Sequence, residues 1–162
     1  MASLAERRKA AKVMDILVNR TGKVHYQQYR PMRTKWINTL DELTKALARS
    51  GGITMDCSES VTLIAHIAGM NDPNGFGFNG WGYTGTILNF CQPHYSDPSK
   101  ARIGALVVFG PGTGDHVCMV RTPGRDPLLF SHGSERDPKY IRFSVIRRYL
   151  RSPATFCSIN KL

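Results

Sequence analysis

The sequence predicts an α+β fold, a compact domain in which N-terminal helices pack on a small antiparallel sheet. Three observations carry this. In the first seventy positions apolar residues recur at three and four residues, the period of helices. From Ile103 the pattern changes to short apolar runs divided by Gly, Pro and Asp, the signature of strands between tight turns. The connections are too short for crossover helices, so the strands pair antiparallel. Helices first and strands second give α+β rather than α/β, and 162 residues are the length of one domain.

The elements follow in order. Residues 2–19 form a helix with Leu4, Ala11, Met14, Leu17 and Val18 on one face and a stop at Thr21-Gly22. Residues 24–34, with Tyr26, Tyr29 and Pro31, read as extended or irregular. Residues 36–48 form a second helix through Trp36, Leu40, Leu43 and Leu47, ended by Ser50-Gly51-Gly52. A third helix opens at Asp56-Cys57-Ser58-Glu59-Ser60, buries Val61, Ile64, Ala65 and Ala68, and ends at Gly69. Between Asn71 and Phe90, glycines alternate with Phe76, Phe78, Trp81 and Tyr83. This is either a ligand-facing loop or a tight loop pinned by its aromatics. Strands are expected at 105–109, 117–121, 128–131 and 140–143. Residues 1–50 are read as a helical extension packed on a core of residues 51–162.

Cys57 is the candidate nucleophile. At the first turn of a helix, unpaired N–H groups and the helix dipole favour a thiolate, which predicts a lowered pKa and a place to hold an oxyanion. Two histidines follow on expected strands, His116 in Gly114-Asp115-His116-Val117 and His132 in Phe130-Ser131-His132-Gly133, so a base is at hand for acyl transfer. A free Cys is commonly a packing residue, and Cys91, Cys118 and Cys157 are read that way. Four cysteines, one of them needed as a thiol, do not make a disulfide framework. No metal or cofactor is expected: Cys91 and His94 have no second ligand pair, and Asp72-Pro73-Asn74-Gly75 places its glycine too early for a calcium loop.

The motifs Asp56-Cys57-Ser58, Gly104-Ala105-Leu106-Val107-Val108-Phe109, Asp115-His116-Val117 and Phe130-Ser131-His132-Gly133 together resemble the NlpC-type peptidoglycan peptidases. The resemblance spans roughly residues 51–159 and implies a papain-like fold. It implies Cys57 as nucleophile, His116 as general base and acid, and His132 as the group orienting His116, with Asp126 and Glu135 as alternative orienters. Asp56 and Ser58 would contact substrate, as would Tyr26 or Tyr29 upstream, and the aromatic loop adds Trp81 and Tyr83. The chain departs from the family pattern at Glu59, where glycine is usual, at Ala105, and at Asp115 between Gly114 and His116. The implied substrate is bacterial peptidoglycan, cleaved at a stem-peptide amide. Small domains of this kind resemble those of bacteriophages, acting in the virion, beside other virion proteins, or made in the host cytoplasm and released to the wall.

A net charge of +10, from 22 Lys and Arg against 12 Asp and Glu, favours a polyanionic partner such as an anionic wall. The basic residues are scattered and not interleaved with aromatics in a recognised motif, so specific nucleic-acid binding is not expected. No secretory signal or transmembrane segment is read in the sequence. The readings that compete with hydrolysis are a non-catalytic tail or wall-binding protein keeping the fold, and a Cys–His acyltransferase.

Overall fold

The protein is described from a computed structural model, over residues 1–133 and 137–160. In chain order its elements are α1 (Leu4–Val18), β1 (Val24–Tyr26), α2 (Leu40–Ala48), β2 (Ile53–Met55), α3 (Cys57–Ala68), α4 (Thr84–Phe90), β3 (His94–Tyr95), β4 (Leu106–Phe109), β5 (His116–Thr122), β6 (Leu128–Ser131), β7 (Lys139–Arg142), α5 (Phe143–Leu150) and β8 (Ala154–Cys157). A six-stranded antiparallel sheet runs β3-β8-β4-β5-β6-β7, and β1 pairs in parallel with β2 as a separate ribbon. The α+β class read from the sequence is the observed one.

Side-chain alternation on β5 explains how the sheet is covered on both faces. Val117 and Met119 join Leu106, Val108 and Phe130 in a core shared with Met14 and Leu17 of α1 and Ile64 of α3. Cys118 and Val120 point the other way, onto Phe109, Phe143, Ile146 and Phe156, so α5 closes the second face. The α1 helix is clamped to the sheet by its own acid. Arg121 on β5 donates two 2.9 Å hydrogen bonds to the Asp15 carboxylate, and the Tyr140 hydroxyl donates a third. The Arg121 guanidinium holds Asp15 below the usual carboxylate range.

Several elements differ from expectation for local reasons. The second helix begins at Leu40 rather than Trp36, because Thr39 and Glu42 form a capping box. Trp36 lies outside it, half exposed, with the Arg49 guanidinium 5.0 Å from its ring centre. The sheet extends beyond the four strands read from the sequence: β8 returns beside β4, on the side away from β5, and carries β3 at the edge. Helices α4 and α5 and strands β2, β3 and β8 were not anticipated, while β1 falls in the segment read as extended or irregular. The segment before α4 is organised by a carboxylate. Asp72 accepts hydrogen bonds from the backbone N–H groups of Asn74, Phe76 and Phe78, and buried Asn74 reaches on to Thr62 and Thr86.

Candidate active site

Asp56 caps α3 by accepting the Glu59 N–H at 2.8 Å, and the Ser60 N–H bonds to the Asp56 carbonyl. The N–H groups of Cys57 and Ser58, ahead of that first intrahelical bond, have no partner within the helix and face the thiol. Cys57, as the first helical residue, projects from that end and is 5% exposed, whereas Cys91, Cys118 and Cys157 are 0–1% exposed. All four are free thiols.

The electrostatics of Cys57 correct one expectation. Burial pushes its thiol up to about 11, helped by the neighbouring Asp56 charge. Backbone hydrogen bonds from Val117, Ser58 and Cys57 itself pull in the opposite direction without prevailing. The helix start therefore furnishes donors, but the resting group is a thiol and needs a base.

The contact to Val117 is what brings β5 to the nucleophile, because Val117 directly follows His116. His116 is half-buried at the first position of β5. Its Nε2 lies 2.9 Å from Ser131 Oγ, and its ring stacks 6.4 Å from Phe109 across β4. Ser131, fully buried at the end of β6, is the partner that sequence reasoning passed over in favour of the histidine beside it. Its only signal was position: alternation on β6 places 129 and 131 on one face and 130 and 132 on the other.

His132 is fully buried and meets the Tyr26 ring edge-on at 5.4 Å. Tyr26 in turn interacts with Cys57. Its hydroxyl is pushed up to about 12, first by burial and then by the nearby Cys57 and Asp56 charges. Cys57, Tyr26 and His132 thus form one continuous set, and His116 is braced from Ser131. Asp126 is elsewhere: its carboxylate accepts from the Ser144 N–H and hydroxyl at the start of α5. The β5–β6 turn carrying it is at the opposite end of the hairpin from His116, roughly 20 Å away at about 3.3 Å per residue, so it does not orient that ring. Glu135 lies outside the described residues.

Two hollows lie near the site, and the thiol lines the first of them. One, of about 480 Å³, is lined by Tyr29, Arg30, Asp56, Cys57, Ser58 and Tyr83. The other, of about 580 Å³, runs past Tyr26 and His116 to Lys139, Ile146 and Tyr149. Asp115 borders both. Trp81 stands apart, lining a small apolar hollow with Met32, His66 and Phe78, so the structure does not bring it to Cys57. Glycine is required at 82, where φ is +141° and a Cβ would fall 2.2 Å from the Asn74 side chain. Among the described residues there is no cluster of three metal-binding side chains, and no helix is long and apolar enough to cross a membrane.

No family model and no curated protein matches the chain. Among solved structures it is similar to NlpC2 from Trichomonas vaginalis, with a TM-score of 0.58 and 13% sequence identity. The match covers 98% of this chain and 49% of that one, so the chain spans about half the length of its structural neighbour. The likeness is one of fold. It is consistent with the α+β, papain-like arrangement described above, with a helix carrying Cys57 laid on an antiparallel sheet.

The two candidate orienters can be separated by experiment. Ser131→Ala removes the oxygen at 2.9 Å from His116 and should lower kcat by about 10- to 100-fold with little change in KM. His132→Ala should act chiefly through Tyr26 and the Cys57 end of the cleft, raising KM as well. Steady-state kinetics of both variants check the pair, and a silent Ser131→Ala beside a damaged His132→Ala would return the orienting role to His132.

Proposed function

We propose that this protein is a cysteine peptidase or amidase that hydrolyses amide bonds in the stem peptides of bacterial peptidoglycan. The observation that carries the reading is Cys57, first residue of α3, lining an open hollow and approached by the backbone of Val117, one residue from His116. Because Ser131 engages Nε2 of His116, Nδ1 is assigned to proton transfer. It takes the proton from Cys57 Sγ, and the thiolate attacks the amide carbon. The Cys57 and Ser58 N–H groups stabilise the oxyanion. As the C–N bond breaks, His116 gives its proton to the departing amine. A water molecule, deprotonated by His116, then cleaves the thioester, releasing the carboxylic acid and restoring the thiol.

The basic surface suits an anionic wall, and the NlpC-like fold favours hydrolysis over a purely structural role. We place its action in a bacteriophage life cycle, in the virion or at the host wall after release. The test is chemical. Purified walls incubated with the protein should gain new primary amino groups and no reducing sugar ends. Reducing ends without amines would overturn the reading in favour of glycoside cleavage, and wall binding with neither product would favour the non-catalytic alternative.

A further inference from the structure

Beside the nucleophile lies a carboxylate with unusual company. The Asp56 side chain is 4% exposed and borders the Cys57 cleft. A buried carboxylate at a substrate cleft is a natural seat for a substrate ammonium, because it needs a positive partner with hydrogen-bond donors. In this chain the seat is filled from within. Arg30 Nη1 donates to Asp56 Oδ2 at 3.0 Å and Nη2 to Ser58 Oγ at 2.7 Å, while Oδ1 accepts the Ser58 hydroxyl and the Glu59 N–H, each at 2.8 Å. The guanidinium is itself held in place. Nε donates to the Gly82 carbonyl and Nη1 to the Tyr29 carbonyl, both at 2.6 Å. Four of the five donors of a guanidinium are thereby committed inside the protein.

We propose that Arg30 is a specificity-determining residue that closes the Asp56–Ser58 seat to free ammonium groups, so that the cleft takes peptides whose amino end is acylated. This rests on the peptidase reading of the Cys57 cleft and narrows its substrate. An incoming ammonium would meet a fixed cation three-quarters buried beside it, and displacing that cation would break four hydrogen bonds at once. An N-acyl end has no such conflict, since its amide is neutral. In wall terms, the preferred substrate is a stem peptide still attached through its amino end, rather than one already released as a free peptide.

The experiment uses a stem tripeptide with a free amino terminus and its N-acetyl counterpart, each titrated by calorimetry into full-length Cys57→Ala protein. The acetylated peptide should bind at least about tenfold more tightly, since juxtaposed like charges are costly. In the Cys57→Ala/Arg30→Gln protein the ratio should shrink or reverse. Equal affinities, a preference for the free amine, or no binding of either peptide overturns the proposal. If Arg30→Gln does not fold by its melting curve, the comparison in Cys57→Ala protein alone decides. Hydrolysis by wild type is measured separately: selective binding without hydrolysis overturns the peptidase reading and leaves Arg30 as the selector, whereas equal hydrolysis of both peptides does the reverse.

Discussion

Cys57→Ala should abolish wall hydrolysis, lowering kcat by about 10⁶, while leaving the melting temperature nearly unchanged. The second half follows from position: Cys57 is at the open end of α3, and an alanine there leaves the Asp56 cap intact. His116→Ala should cost about 10⁴ in kcat/KM, because a thiol pushed up to about 11 in the intact site is almost wholly protonated at neutral pH and needs a base to attack. The same variant supplies a check that needs no substrate. In wild type, iodoacetamide should modify Cys57 before the more deeply buried Cys91, Cys118 and Cys157. In His116→Ala, labelling of Cys57 should become slow at neutral pH. Labelling that ignores the loss of His116, or full activity in Cys57→Ala, would remove the thiolate mechanism.

The second large effect is on stability and concerns Glu59, a fully buried acid in the first turn of the nucleophile helix. Its Oε1 accepts both the Thr34 N–H at 2.8 Å and the Thr34 hydroxyl at 2.6 Å, tying the segment that carries Arg30 to α3. Glu59→Ala leaves the buried Thr34 donors without an acceptor and opens a void, at a cost of about 2–4 kcal/mol. For a chain of this size that is roughly 5–12 °C in melting temperature. Burial raises the Glu59 pKa against the two Thr34 bonds, so folding favours its protonated form. A raised folded pKa contributes stability that is fully present below the unfolded pKa and lost as pH rises through the folded value. Glu59→Gln keeps an acceptor for Thr34 and does not titrate, so it should gain on wild type as pH rises and flatten the pH dependence. Thermal melts from pH 4 to 8 test this, and identical pH profiles for wild type and Glu59→Gln would refute it.

The parts of this fold legible in the sequence were those in which local signals and tertiary packing agree. The α3 helix carries an acidic cap, an apolar stripe and a glycine stop, and it runs from Cys57 to Ala68 as those signals dictate. Strand β6 is bounded by Asp126-Pro127 and Gly133 and falls on residues 128–131 as read. Short elements stabilised from outside were not legible. The α4 helix buries Ile87 as its one large apolar side chain, and β8 is a four-residue strand whose partner lies about fifty positions upstream. At the site, Cys57 and His116 stood out as candidates because the proposed chemistry needs a nucleophile and a base of those types in that order. The partners Arg30 and Ser131 were not, since each meets its counterpart only through the fold, over 26 and 15 positions respectively. The thiol pKa was misjudged because a helix start is visible in sequence whereas the depth of its burial is not.

The parallel pairing of β1 with β2 has a consequence for how this protein can be divided. Val24, His25 and Tyr26 lie in register with Ile53, Thr54 and Met55, and the next two residues along β2's path are Asp56 and Cys57. Beyond Tyr26 the first strand runs on to Arg30, which reaches back to Asp56. Two lengths of chain, separated by the α2 helix, are thus laid side by side as rails ending at the same point, one delivering the thiol and the other the residues that frame it. The first fifty positions are therefore not a removable preface. A fragment starting after them would keep every element of the six-stranded sheet and the whole of α3, yet it would be missing one wall of the cleft. Grafting the Cys57–His116 segment onto another protein would carry the reacting groups without the surface that chooses what they react with.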